Sequence, residues 1–206
     1  MKSYIVTGSS SGIGLSISLE LLKKGFKVLG IDLNSPNKEV NNNCNYEHLI
    51  MDLSCISEIL ENEFLCKTIS NYDGLVNSAG ITLKMDSKIQ DKIAIFEKTL
   101  NINLLAPYTI SEIFFKNRKN PYKPSSIVNI SSIGAVLGFP DNPSYCSSKG
   151  ALEALTRSLA LDYSIKNIRV NSVRPGYTET PMNLKSLTDP SKKNQRSKHT
   201  ILGRWG

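Results

Sequence analysis

The stretch Lys2-Ser3-Tyr4-Ile5-Val6-Thr7-Gly8-Ser9-Ser10-Ser11-Gly12-Ile13-Gly14 decides the fold. Ile5 and Val6 read as the centre of a short buried strand, and a glycine-rich turn follows. An amphipathic helix then opens, with Leu15, Ile17, Leu19, Leu21 and Leu22 against Glu20, Lys23 and Lys24, and Gly25 closes it. Strand, glycine turn and helix in that order is the setting in which a glycine pattern carries meaning. The glycines permit tight backbone, and the helix N-terminus offers unpaired N–H groups to a pyrophosphate. The spacing is G-x-x-x-G-x-G, so a plain strand–helix turn is the alternative for this segment taken alone.

Working outward, strands alternate with helices along the whole chain, which predicts a parallel sheet in an α/β layered fold. Strands are expected near 2–7, 26–32, 46–52, 73–77, 125–131 and 167–173, and helices near 12–24, 54–70, 91–118 and 144–163. There is no internal repeat. Asparagines crowd the stretch 34–45, which favours turns, so the crossover helix between the second and third strands is expected to be shortened or absent.

Tyr145 and Lys149 stand four residues apart at the start of a helix, and Ser132 lies thirteen residues before the tyrosine. Four residues is about one turn, so both side chains share a face. A phenol titrates near ~10, and bringing it to neutrality takes roughly 4 kcal/mol of preference for the phenolate. One unit charge at ~4 Å with an effective dielectric of ~20 supplies about that much. The pair can therefore form a proton shuttle, with the lysine lowering the phenol. Pro107 stands four residues after Asn103 in the helix expected at 91–118. Proline has no N–H, so the Asn103 carbonyl is expected to lose its helical partner and to be free to hold a water.

Thr7–Gly14, Asp52-Leu53, Asn77-Ser78-Ala79-Gly80, Asn101-Ile102-Asn103-Leu104, Asn129-Ile130-Ser131-Ser132, Tyr145–Lys149 and Arg174-Pro175-Gly176 through Thr180 occur in one order over nearly the whole chain. Together they resemble the short-chain dehydrogenase/reductase family. The resemblance implies a single Rossmann-type domain over residues 1–206: a doubly wound parallel sheet in three layers, with a substrate lid at about 177–206. It implies hydride transfer between NAD(H) and a carbonyl or alcohol. The catalytic residues would be Tyr145 as general acid/base, Lys149 beside it, Ser132 on the substrate carbonyl and Asn103 on a relay water. Cofactor contacts would come from Gly8, Ser10, Ser11, Gly12, Ile13 and Gly14 in the turn, and from Asp32, Leu33, Asp52 and Leu53 around the adenosine. Asn77, Ala79 and Gly80, then Tyr145 and Lys149, and finally Pro175, Gly176, Thr178 and Thr180 would complete the contacts. Asp32 ends the second strand, where a carboxylate accepts the ribose hydroxyls and repels a 2′-phosphate. Ser11 and Leu33 stand where related NADP enzymes carry a cation, so NAD is preferred over NADP. The substrate would be of the 3-oxoacyl or the sugar/polyol kind. A non-catalytic NAD-binding module, or an inactive truncated fragment, is the alternative.

Composition sets the outer limits. The chain has 206 residues, 40% of them hydrophobic, which suits one compact domain. Apolar runs fall short of a membrane span, and Met1-Lys2 leads into the first strand without a secretory pattern. Cys44, Cys55, Cys66 and Cys146 form no C-x-x-C pair, and nothing completes a ligand set around Cys44 and His48. A cytoplasmic protein with reduced thiols and no metal is expected. The net charge is +7, and residues 185–206 hold six basic residues against Asp189. They read either as a solvated mobile loop or as an attractor for an anionic substrate. No aromatic-interleaved basic face supports a nucleic-acid partner, and no membrane partner is expected. A homo-oligomer stays open. Ile201–Gly206 resembles a motif that the family follows with another helix and a final strand, so the chain is expected to continue beyond Gly206. Without that element, the sixth strand is a sheet edge.

Overall fold

The computed structural model describes residues 1–84, 88–118, 120 and 122–206. Its strands are β1 (Ser3–Thr7), β2 (Lys27–Asp32), β3 (Tyr46–Ile50), β4 (Gly74–Asn77), β5 (Ser125–Ile130) and β6 (Ile168–Val173). They form one parallel sheet in the order β3-β2-β1-β4-β5-β6. Burial on both faces explains the near-continuous apolar runs of the central strands. Ile5, Val6, Val28, Leu29 and Ile31 are all but inaccessible. Two apolar clusters sandwich the sheet. One is built on Ile5, Leu29, Ile31, Leu75 and Ile127, the other on Val6, Leu22, Val28 and Val40.

Chain order runs outward from β1 to β3 and then returns to β4 on the other side of β1. The carboxyl ends of β1 and β4 therefore diverge into a crevice, where open α/β sheets take ligands. Helix α1 (Gly12–Lys23) starts at that point. The crossover after β2 shrinks to the four-residue α2 (Lys38–Asn41), as its asparagines imply.

Two expected helices are not continuous. The 54–70 helix breaks into α3 (Ile56–Glu61) and α4 (Glu63–Thr68). Asn62 causes the break, because its Oδ1 accepts the Leu65 N–H at 2.8 Å and caps a second helix in place of extending the first. The 91–118 helix divides into α5 (Ile89–Leu100), a π-helical stretch Asn101–Leu105 and α6 (Ala106–Lys116). Pro107 is accommodated by this widened turn, where the Ala106 N–H reaches back to the Asn101 carbonyl. The expected continuous helix is thus corrected to two helices joined by a π turn, a feature frequent at functional sites, and Pro107 still offers no N–H to the Asn103 carbonyl.

Helix α7 (Pro143–Asp162) packs beside β6. Beyond β6, which lies at the edge of the sheet, come α8 (Leu184–Leu187) and α9 (Pro190–Lys198). The basic stretch is mostly exposed but is helical over 184–187 and 190–198, not a loop. The Arg196 guanidinium lies 5.2 Å from the Tyr177 ring and 5.8 Å from the Trp205 ring. Trp205 is 5% exposed, and its Nε1–H donates to the Lys193 carbonyl at 3.3 Å. The Gly206 N–H donates to the Tyr177 carbonyl at 2.9 Å, and the Glu179 N–H to the Gly206 carbonyl at 3.0 Å. Lys193 pairs with Glu179 and Lys192 with Asp189. Glu179 and Asp189 each match one lysine, and the remaining basic side chains keep their charge.

Candidate active site

The crevice is a cleft of about 310 Å³ running from the β2 end to the β5 and β6 ends. At one end the glycine turn shapes it. Gly8 has φ +69°, and a Cβ there would lie 2.8 Å from the Ala79 Cα. A Cβ on Gly14 would lie 2.2 Å from the Gly8 carbonyl oxygen. Only glycine allows this approach of backbone to backbone. Thr7 Oγ1 accepts the N–H groups of Ser78 and Ala79, both at 3.0 Å, and so joins the ends of β1 and β4. Ser11 caps α1 with extended backbone but makes no side-chain bond to it. The first N–H groups of that helix thus lack a side-chain acceptor from their cap, the arrangement that suits a phosphate.

Asp32 is 8% exposed. Its Oδ2 accepts the Ser10 N–H at 3.0 Å, while Oδ1 accepts Asn34 N–H at 2.9 Å and Nδ2–H at 3.1 Å. Leu33 beside it is 62% exposed and supplies no cation. Asp52 accepts the Ser54 N–H at 2.8 Å, a bond that lowers its pKa.

At the other end, Ser132 follows β5, and Tyr145 and Lys149 project from α7 into the same cleft. Ser132 hydrogen-bonds Tyr145, which pulls the phenol down, but burial is larger and pushes it up. Lys149 is 4% exposed. Its Nζ lies 5.9 Å from the Tyr145 ring centre and donates to the Ile130 carbonyl at 2.7 Å. Desolvation pushes the ammonium down to about 8. The expectation of a phenol lowered by an ammonium beneath it is therefore corrected. Both groups are desolvated, and the ammonium is bound to a backbone carbonyl.

Ser131 and Ser132 point to different partners. Ser132 Oγ accepts the Gly134 N–H at 3.0 Å, whereas Ser131 Oγ donates to Glu153 Oε1 at 2.9 Å. Asn103 stands behind the wall. Its Oδ1 accepts the Ile81 N–H at 2.8 Å, and its Nδ2 donates to the Ile81 carbonyl at 2.9 Å and to Ser148 Oγ at 3.0 Å. A Cβ on Gly80 would meet both Asn103 Oδ1 and Lys149 Nζ at 3.3 Å, so the glycine lets these two approach.

Most sequence-selected residues line one cleft: Gly8, Ser11, Ile13, Gly14, Asp32, Leu33, Asp52, Leu53, Ala79, Gly80, Ser132, Tyr145, Lys149, Pro175, Gly176, Thr178 and Thr180. Ser10, Gly12, Asn77 and Asn103 do not line it. The two asparagines support it from behind; Asn77, for instance, donates to Ser111 Oγ at 3.2 Å and to Asn129 Oδ1 at 2.8 Å. Sequence reasoning missed Asn34, Met51 and Ile81 in the lining, while Met182 and Asn183 fall in the stretch read as a lid. It also missed Glu153, one turn beyond Lys149, although the four-residue step could have drawn attention to it.

A family model for short chain dehydrogenases matches residues 2–191. The chain belongs to that family. It is 34% identical over 202 residues to an L-xylulose reductase of Caenorhabditis elegans, covering 94% of this chain and 78% of the relative. It is 34% identical over 199 residues to a 3-oxoacyl-[acyl-carrier-protein] reductase of Rickettsia typhi (strain ATCC VR-144 / Wilmington), covering 95% and 78%. A solved 4-hydroxyisoleucine dehydrogenase complexed with NADH superposes with a TM-score of 0.91 at 28% identity, covering 100% of this chain and 86% of that one. This short-chain dehydrogenase is thus an NAD(P)-dependent oxidoreductase acting on alcohol and carbonyl groups. The helix start without a side-chain cap, the close-packed glycines and the Asp32 carboxylate fit a dinucleotide. Among the described residues no helix is long and apolar enough to cross a membrane.

Proposed function

We propose that the protein is an NAD(H)-preferring reductase or dehydrogenase of a small carbonyl/alcohol substrate, with Tyr145 as general acid/base. The observation that carries this is the convergence of Ser132, Tyr145 and Lys149 in one cleft with Asp32 and the glycine turn. When bound, the nicotinamide supplies or accepts the hydride. The chain's own residues do the rest. Ser132 Oγ sits beside the phenol and orients the substrate oxygen. The Tyr145 hydroxyl gives a proton to that oxygen in reduction and takes it back in oxidation. Lys149 bears its proton behind Tyr145 and binds the nicotinamide ribose. Asn103 holds the 81–82 backbone against the Lys149 end and anchors the proton path to solvent. Pro175, Gly176, Thr178 and Thr180 grip the carboxamide end, and residues from 177 onward cover the substrate.

Asp32 favours NADH, since its carboxylate repels a 2′-phosphate and Leu33 offers none of the compensation a cation would. The substrate belongs with sugar or polyol ketones or with 3-oxoacyl groups, in keeping with the relatives' names. Four free thiols accord with a cytoplasmic location. NADH oxidation with a panel of sugar ketones and short 3-oxoacyl thioesters tests the assignment, alongside binding titrations of NADH and NADPH. Turnover with tighter NADH binding is expected. Failure to bind either dinucleotide would overturn it.

A further inference from the structure

Glu153 is a buried carboxylate one helical turn after Lys149 on the same face of α7, 5% exposed. A buried lysine and a buried carboxylate at that spacing ordinarily pair. Here they do not, since the lysine donates to the Ile130 carbonyl at 2.7 Å. The carboxylate is taken by Arg174, whose Nε donates to Oε1 and Nη2 to Oε2, each at 2.5 Å. Ser131 Oγ donates to the same Oε1 at 2.9 Å and lies 3.4 Å from the Lys149 carbonyl. Three segments meet at Glu153: the end of β5 that carries Ser132, helix α7, and the residue before Pro175-Gly176. The Ile133 N–H, which donates to the Pro175 carbonyl at 3.2 Å, closes the same corner.

We propose that Glu153 and Arg174 are a positioning pair for the catalytic lysine. Glu153 ties the Ser131-Ser132 turn to α7, and the planar Arg174 fork neutralises it so that the Lys149 ammonium stays turned to the cleft. A point charge could not occupy both oxygens, which gives the guanidinium its advantage over an ammonium. The other charged or polar groups around these two are Tyr145 and Arg157 on α7 and Asn103 on the π turn. None of them supplies a second carboxylate. The low proton affinity of Lys149, which burial alone causes, agrees with a neutralised Glu153.

The chemical meaning rests on the proposed function, but the test reads Lys149 itself. The full chain is labelled with 13C-lysine, and the Lys149 signal is identified by its loss in Lys149→Met. Its titration is then followed by NMR in parent, Arg174→Gln, Glu153→Gln and the double variant, with melting temperatures alongside. Arg174→Gln should raise the Lys149 pKa by on the order of 1 pH unit, from an uncompensated charge one turn away. The double variant should return it to about the parent value, which a merely structural role for the pair would not do. Glu153→Gln alone preserves the Ser131 contact but leaves the Arg174 cation unpaired, and should lower the Lys149 pKa modestly, since Arg174 is half exposed. A pKa unmoved in folded Arg174→Gln, or not lowered in Glu153→Gln, would overturn the proposal. Should Arg174→Gln not fold, the Glu153→Gln titration decides. Loss of NADH binding in the parent would instead strike at the proposed function and leave this result readable.

Discussion

The two ends of the cleft are built in opposite ways. The end under the glycine turn comes chiefly from one stretch, β1 through Asn34, with Asp52 and Ala79 beside it, and its glycines hold backbone against backbone. The end under α7 gathers side chains from the π turn, the ends of β5 and β6, and α7, and those side chains are buried ionisable or polar groups. Shape limits the first end and charge limits the second. An added methyl should damage the glycine end, whereas an altered proton or charge should damage the other.

The largest effect should come from one oxygen at the charged end. Tyr145→Phe should cut turnover by about 10²–10⁴, the span of general acid/base contributions, while NADH affinity changes by no more than about threefold. Steady-state rates beside fluorescence titrations would show it. A near-normal rate would remove the tyrosine from the chemistry.

Stability against pH probes the same end. Folded Lys149 titrates at about 8 against an ordinary 10.5. Between those values the unfolded chain binds more protons, so this group's contribution to stability rises with pH. Its cost is fully present below pH 8 and is relieved as pH approaches 10.5. The stability advantage of Lys149→Met over the parent should therefore shrink by about 3 kcal/mol from pH 7 to 10.5. Urea unfolding at several pH values measures this; a constant gap would contradict the buried, weakly basic lysine.

At the other end, Gly14→Ala places a methyl 2.2 Å from the Gly8 carbonyl oxygen. It should cost about 1–3 kcal/mol and weaken NADH binding, because the backbone must move. Gly138→Ala, with nothing within 4 Å, is the matched control and should leave both nearly unchanged. Equal melting temperatures for the two variants would show that the turn is looser than its packing implies. The smallest effect is one of preference. Asp32→Ala with Leu33→Arg should shift the NADH-to-NADPH affinity ratio about tenfold, worth about 1.4 kcal/mol. Paired titrations read it directly.

What could be read from the chain alone follows the same division. The 3.6-residue helical period and the glycine turn are local, so α1, β1, β2 and the place of Asp32 at the end of β2 were legible. Tyr145 and Lys149 were legible because one helix fixes their spacing, and Ser132 through its distance from them in sequence. The break at Asn62 was not legible, since a side-chain cap competed there with helix propensity. Nor was the π turn at Asn101–Leu105, where tertiary packing settled how the helix would pass Pro107. The basic C-terminal stretch read as a loop because nothing local reveals that Trp205 folds back onto Tyr177 and Arg196.

The sequence by itself determined the alternation of strands and helices, the glycine-shaped turn and which ionisable side chains the cleft holds. Those depend on contacts between near neighbours and on chemistry each residue carries wherever it lies. Only the tertiary structure decided what Lys149 donates to, that Ser131 serves Glu153 while Ser132 faces Tyr145, and that Arg174 takes up the buried carboxylate. Proton affinity and hydrogen-bond choice in a desolvated site depend on what lies across space, and those neighbours are brought from the ends of other strands.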